Sequence, residues 1–288
     1  MMDPIEIVSY FPIVNQRVAG ERGRAVEFWH TINPLYSLSG FFVGALVGFT
    51  GVGGGSLMTP LLVLLFGVAP TTAVGTDLLY AAITKSNGTL VHGVNGSVDW
   101  RITRRLAMGS IPATLLALLL LWQLGRESHA SANGLITSVL GVALVLTAVS
   151  ILFRHATHKY LARHTDGLTD AQVFRVTVAL GALLGLLVTV SSVGAGAIGM
   201  TVLLALYPRA PIVRLVGSDI AHAVPLTLLA GAGHWLLGGV DFALLASLLI
   251  GSLPGIAIAS HFASKAPEAV LRPLLASVMA VTGARLLG

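Results

Sequence analysis

Gly51-Val-Gly-Gly-Gly-Ser56 interrupts two apolar segments, Leu38 to Gly48 and Leu57 to Phe66, and its reading decides the fold. Each glycine costs a helix about 1 kcal/mol against alanine, so four in five residues leave a helix little reason to continue. In a soluble protein this would be a loop. Here the flanks are as apolar as hydrocarbon, which puts the break at membrane depth. Unwound backbone is tolerated there only where protein or a water-filled cavity surrounds it. The break therefore reads as a site, and the chain repeats it in weaker form as Ser191-Ser-Val-Gly-Ala-Gly196.

The composition agrees. Of 288 residues, 55% are hydrophobic and 10% charged, and mean hydropathy is +0.86. Soluble domains carry roughly 25% charged residues, so this chain lacks the charge to cover a soluble surface. It reads as an all-α, polytopic integral membrane protein. Cysteine is absent, which excludes disulfides and thiolate metal sites. The net charge of +5 does not point to nucleic acid, because the basic residues sit in short loops between apolar runs. Residues 1–35 lack the compact apolar core of a signal peptide and read as a leader, amphipathic or solvated.

Apolar segments fall near 36–50, 57–68, 72–93, 103–123, 132–153, 172–190, 197–207, 215–237, 240–261 and 269–287. A spanning helix needs about 20 apolar residues, so the second and seventh are too short to span alone. Each pairs with its predecessor through a glycine break, as a broken helix or a re-entrant hairpin. The hydrophilic stretch Arg154 to Asp170 divides the chain. The organisation expected is a first repeat over 36–153, a basic cytoplasmic connector over 154–171 and a second repeat over 172–288.

The halves match in sequence. Gly40 and Gly44 answer Gly181 and Gly185 at a spacing of 141. At 142, Asp77 answers Asp219, His92 answers His234, Asp99 answers Asp241, and Gly109-Ser-Ile-Pro112 answers Gly251-Ser-Leu-Pro254. Five segments per half, or three plus a hairpin, cross the membrane an odd number of times. The second half is then inverted relative to the first, as in many secondary transporters. Eleven basic residues fall on one side (Arg101, Arg104, Arg105, Arg154, Lys159, Arg163, Arg175, Arg209, Arg214, Lys265 and Arg272) against Arg17, Arg22, Arg24, Arg126 and Arg285 on the other. Positive loops stay inside, which expects both termini outside the cytoplasm.

Several residues are candidates for chemistry. Half-helices beginning after the two breaks aim unpaired N–H groups and partial positive charge at the bilayer middle, where an anion would bind. The backbone of Gly53, Gly54, Gly55 and Ser56, and of Gly194, Ala195 and Gly196, would supply those groups. Thr59-Pro60 fits a late helix start, threonine as cap and proline first. For Gly40 and Gly44 alone, close helix packing is the expected role. Gly194-Ala-Gly-Ala-Ile-Gly199 fits a dinucleotide fingerprint literally, but no strand precedes it. Lys85 lies mid-segment, where a charge is costly and a functional candidate by default. It would face a substrate anion, with Asn87 nearby, or else pair with Asp77 or another carboxylate. Asp77, Asp219 and His222 are candidates for carrying a coupling proton. For the two aspartates, helix-dipole stabilisation is the plainer expectation. His92 and His234 read as interfacial or capping residues, Asp99 and Asp241 as loop or N-cap residues. His155, His158 and His164 form no tight metal pattern, and no Ser/His/Asp constellation for hydrolysis stands out. No metal, no cofactor and no enzymatic activity are expected.

On these residues the chain resembles the sulfite exporter TauE/SafE family of bacterial membrane transporters. The matching features are Gly51 to Ser56 with Pro60, Ala73-Val-Gly-Thr-Asp-Leu78, Thr84-Lys85, His92 and Val98-Asp-Trp-Arg101. Gly109-Ser-Ile-Pro112, Gly217-Ser-Asp219, His222 and Gly251-Ser-Leu-Pro-Gly255 extend them. The resemblance covers about residues 36–288. It implies transport, in the export direction, of a small anion such as sulfite, a sulfonate or another organic anion across the bacterial inner membrane. The second break, Val-Gly-Ala-Gly, departs from the pattern by being poorer in glycine. The partners expected are a small anionic substrate and the lipid bilayer, without nucleic acid, with homo-oligomerisation open. The alternatives are an anion channel and a metal-dependent membrane enzyme or assembly factor.

Overall fold

The structure, a computed structural model, describes residues 32–50, 55–94, 96–153, 160, 165, 167–261 and 268–288. Their regular elements are all helical. The first half contains α1 (Pro34–Thr50), α2 (Gly55–Phe66), α3 (Pro70–Val94), α4 (Trp100–Glu127) and α5 (His129–Leu152). The second contains α6 (Asp170–Ser191), a π-helical turn (Ala195–Gly199) running into α7 (Met200–Leu206), α8 (Ile212–Leu236), α9 (Phe242–His261) and α10 (Glu268–Leu287). The ten apolar segments of the sequence are thus ten helices. Among the described residues, five stretches are long and apolar enough to cross a membrane: Trp100–Arg126, Ser131–Leu152, Asp170–Ser191, Ile212–Leu236 and Phe242–Ala259.

Local chemistry sets the helix boundaries. Asp99 caps α4, its carboxylate accepting from the Arg101 and Ile102 amides. Asp241 does the same for α9 through Ala243 and Leu244. Both N-cap expectations are met. Each cap follows a glycine in the left-handed region, Gly96 (φ 62°) and Gly238 (φ 75°), which glycine enters without a Cβ penalty. Thr169 and Gln172 form a capping box on α6. The late start expected at Thr59-Pro60 is not adopted. α2 begins at Gly55 and carries Pro60 inside it, while the Thr59 hydroxyl turns to another helix, as described below.

The largest helix contacts run between the halves. α1 lies on α9, and α6 lies on α4. α3 lies on α8, and α5 on α10. With no hydrophobic drive in lipid, such pairs rely on close packing and interhelical hydrogen bonds. Glycine supplies the closeness. A Cβ on Gly44 would stand 2.5 Å from the Ser252 carbonyl oxygen, and one on Gly185 2.6 Å from that of Ser110. The packing role expected for Gly40 and Gly44 is the one observed. Hydrogen bonds supply the register. The Asp99 amide donates to Ser218 Oγ at 2.8 Å, and the Asp241 amide donates to Thr76 Oγ1 at 3.1 Å. Both ends of the second bond lie 142 residues from the corresponding ends of the first.

Inside, Val74, Leu78, Ala117, Leu121, Ile136, Val188 and Leu226 bring five helices into one apolar cluster. Outside, Leu115, Leu116, Leu119 and Leu120 of α4 are exposed, a face suited to lipid. At one end of the bundle the exposed Asp170 accepts from Arg101 at 2.7 Å and from Arg105 at 3.1 Å. Arg105 also donates to the Tyr207 hydroxyl at 3.2 Å and lies over the Phe174 ring.

Candidate functional site

α3 and α8 each place an aspartate at the eighth helical residue, Asp77 and Asp219. That is two turns in, beyond the reach of the terminal dipole, which fades within the first turn. The dipole-stabilisation reading is therefore replaced. Both are buried, Asp77 fully and Asp219 to 7% exposure. Thr59 Oγ1 of α2 donates to Asp77 Oδ2 at 2.5 Å, and Ser192 is a further polar neighbour. Asp219 Oδ1 faces the π-turn, 3.2 Å from where a Cβ on Gly199 would stand. The two aspartates differ in their threonines. Thr201, at the position equivalent to Thr59, bonds back to the Ala197 carbonyl at 2.8 Å and leaves Asp219 alone.

Lys85 lies about two helical turns beyond Asp77 on α3 and is partly exposed. Its strongest electrostatic partner is Asp219 on the other half, followed by Asp77. Neither is within ion-pair contact. The ion pairs among the described residues are those of Asp170 with Arg101 and Arg105. The pairing weighed in the sequence as Lys85 with Asp77 or another carboxylate is thus a looser three-body arrangement, with Asp219 foremost.

His222, one turn after Asp219, is fully buried. Its Nε2 shares a 2.8 Å hydrogen bond with Ser110 Oγ of α4. Tyr80 holds the equivalent place on α3 and neighbours Ser252 of α9. Ser110 and Ser252 were matched in the sequence, but Tyr80 and His222 were not, because their side chains differ. The 142-residue offset alone would have found them. Among the described residues, eight buried side-chain polar atoms lack a hydrogen-bond partner. Six belong to this cluster: Asp77 Oδ1, Tyr80 Oη, Ser192 Oγ, Asp219 Oδ1, His222 Nδ1 and Ser252 Oγ. An unpaired buried polar group costs about 1–3 kcal/mol. Ser192 neighbours Asp77 and Ser252 neighbours Tyr80, so polar side chains gather around the aspartates inside the bundle.

The second break is well formed. α6 ends at Ser191, and Ser192 takes the left-handed conformation (φ 58°, ψ 8°). Gly194 (φ 114°) then opens the π-turn that contains Ala195 and Gly196. π-turns recur at functional sites. His234 Nε2 donates to the Thr189 carbonyl at 2.9 Å just before the break. His234 is 2% exposed, so it is a buried brace rather than an interfacial residue. Gly53 and Gly54 lie outside the described residues, as do His155, His158 and His164. Gly55 and Ser56 open α2, and Asn87 and His92 lie on α3, but the side chains of Ser56, Asn87 and His92 are outside the description. Thr59, Tyr80, Ser110, Ser192 and Gly199 lie against the candidate residues, a placement that single-residue reasoning missed.

An all-helical bundle with several membrane-length spans, a second break that restarts through a π-turn, and a lysine set among buried aspartates describes a polytopic membrane protein. Residues 36–286 match the family model "Sulfite exporter TauE/SafE", and the chain belongs to that family. It is similar to the probable membrane transporter protein YjnA of Bacillus subtilis (strain 168), 38% identical over 251 residues, 87% of this chain and 98% of the relative. It is also similar to the probable membrane transporter protein YdhB of the same organism, 28% identical over 86% of this chain and 97% of that relative. A probable membrane transporter protein of Xylella fastidiosa (strain 9a5c) is 29% identical over 38% of this chain and 41% of its own length. No solved structure matches.

Proposed function

We propose that the protein is a secondary transporter of a small anion of the sulfite or sulfonate kind, working as an exporter by alternating access. The observation that carries this reading is Lys85, a cation in the middle of α3, partly accessible and without a contact ion pair among the described residues. A charge at that depth is costly and is kept where it meets a substrate or ion. The anion lies against Lys85 and Asn87. The backbone amides of Gly53 to Ser56 and Gly194 to Gly196 complete the site. Asp77, Asp219 and His222 are the candidates for coupling.

The two halves, 36–153 and 172–288, are inverted repeats that rock against each other about the α3–α8 contact, joined by a cytoplasmic connector over 154–171. The repetition of contacts and caps at the 142-residue offset supports this. The protein resides in the bacterial inner membrane with both termini outside the cytoplasm. The test is thermal stability of the detergent-purified protein against sulfite, sulfate, sulfoacetate, other sulfonates, carboxylates and divalent cations. A ligand that binds only the folded state raises stability with the logarithm of its saturation. The expected result is stabilisation by an anion, cancelled in Lys85→Ala. Stabilisation by a divalent cation alone overturns the anion reading.

A further inference from the structure

We infer that Asp219, and not Asp77, is the proton-carrying partner of Lys85, so that each anion bound at Lys85 is accompanied by one proton. The inference rests on the anion-site reading and adds the coupling ion, its residue and its stoichiometry.

The two aspartates are equivalent in sequence and helix position, yet their surroundings are not. Asp77 Oδ2 is held by the Thr59 hydroxyl at 2.5 Å, which ties α2 to α3. Asp219 has no such tie. Its Oδ1 is buried and unpartnered, it faces the backbone of the π-turn at Gly199, and Lys85 is its electrostatic partner. In turn, Asp219 is the first electrostatic partner of Lys85. Thr89, one turn beyond Lys85 on α3, donates to the Ile220 carbonyl at 3.5 Å, so the Lys85 end of α3 packs against the Asp219 segment of the opposite half.

Other groups around Asp219 do not take the role of proton-carrying partner. α3 contributes Lys85, Asp77 and Tyr80. On α8 itself His222 lies one turn on, engaged through Nε2 with Ser110. The π-turn and α7 contain no ionisable residue. α6 has Asp170 and Arg175 near its start, and α4 has its ionisable residues at its two ends.

An anion bound at Lys85 shares the interior of the bundle with the Asp219 carboxylate of the facing helix. Like charges at short range in a low-dielectric interior repel strongly. Binding is relieved when a proton from water adds to the Asp219 carboxylate. The proton then neutralises Asp219, the anion takes over Lys85, and release on the other side returns both. By linkage, an obligatory single proton makes anion affinity fall about tenfold for each pH unit above the range where Asp219 stays protonated in the free protein.

The test uses sulfate, methanesulfonate and sulfoacetate, all ionised between pH 5.5 and 8.5, so any pH dependence belongs to the protein. Affinity is measured by calorimetry on purified full-length protein, with proton uptake followed by an indicator dye in weak buffer. The expected result is uptake of one proton per anion bound, with affinity rising as pH falls. In Asp219→Asn the pH dependence and proton uptake disappear while Lys85-dependent binding remains. In Asp77→Asn both persist. Binding that needs Lys85 but is independent of pH and takes up no proton in the wild type overturns the inference and leaves the anion site standing. A pH dependence lost in Asp77→Asn and kept in Asp219→Asn also overturns it. Binding by none of the three anions, or binding unchanged in Lys85→Ala, removes the anion site and the inference together. If Asp219→Asn fails to fold, Asp77→Asn decides the assignment, since proton uptake lost there overturns it and proton uptake kept there supports it.

Discussion

Thr59→Val removes one hydroxyl and keeps the shape of the side chain. Thr59 and Asp77 are both fully buried, and the hydroxyl is the hydrogen-bond partner of Asp77 Oδ2 at 2.5 Å. Asp77 Oδ1 is already unpartnered, so the substitution leaves the carboxyl group with neither oxygen bonded. Interhelical hydrogen bonds in membrane proteins average about 0.6 kcal/mol and reach about 1.7, while bonds to charged groups in soluble proteins run about 1.5–3. The stranded acceptor places this case at the upper end of the membrane range, about 1.5 kcal/mol. That is roughly a tenfold shift in the unfolding equilibrium. Thr201→Val is the internal comparison. Its hydroxyl bonds only to its own helix, at Ala197, and such back-bonding contributes little. A loss below about 0.5 kcal/mol is expected there, of the size of an ordinary surface change. Reversible unfolding of both variants in mixed micelles, by sodium dodecyl sulfate titration, gives the two numbers. Equal losses, or a larger loss in Thr201→Val, refute the structural role assigned to the Thr59–Asp77 bond.

Gly185→Val drives a side chain into the Ser110 backbone and should cost about 3 kcal/mol or more, seen as lost monodisperse protein on size exclusion. Gly134→Ala in α5, where a Cβ meets nothing within 4 Å, should instead raise stability by up to about 1 kcal/mol. At the charged end, Asp170→Asn should leave stability nearly unchanged in the same titration, because its side chain is 67% exposed and surface pairs are screened. Arg105→Ala should cost more than Asp170→Asn in the same titration. Its side chain is 8% exposed, and it loses Tyr207 and the Phe174 ring together.

The helices were legible because apolar length and glycine breaks are local signals. So were the N-caps Asp99 and Asp241, whose partners sit two and three residues away. The roles of Asp77, Asp219 and His234 were not, because each depends on what another helix brings. Thr59 has a good cap composition beside Pro60, and local propensity favoured a cap. Tertiary contact won, since a buried carboxyl needs the hydroxyl more than a helix end with alternatives does. The partnership of Lys85 with Asp219 spans 134 residues and two halves of the chain. No spacing rule for one helix contains it. The offset of 142 between halves did contain Tyr80 and His222, but only for a comparison of positions rather than of residue types.

The contact of α1 with α9 has a consequence for how the protein is made. About 190 residues separate the end of α1 from the start of α9. At roughly 5–20 residues per second, translation leaves α1 in the bilayer for about 10–40 s before its main partner exists. During that interval the Gly40 and Gly44 face, shaped to admit another backbone, has only lipid against it. A nascent chain in this condition is exposed to wrong pairing with neighbouring helices and to quality-control proteases. The second half, whose α6 finds α4 already in place, has no such delay.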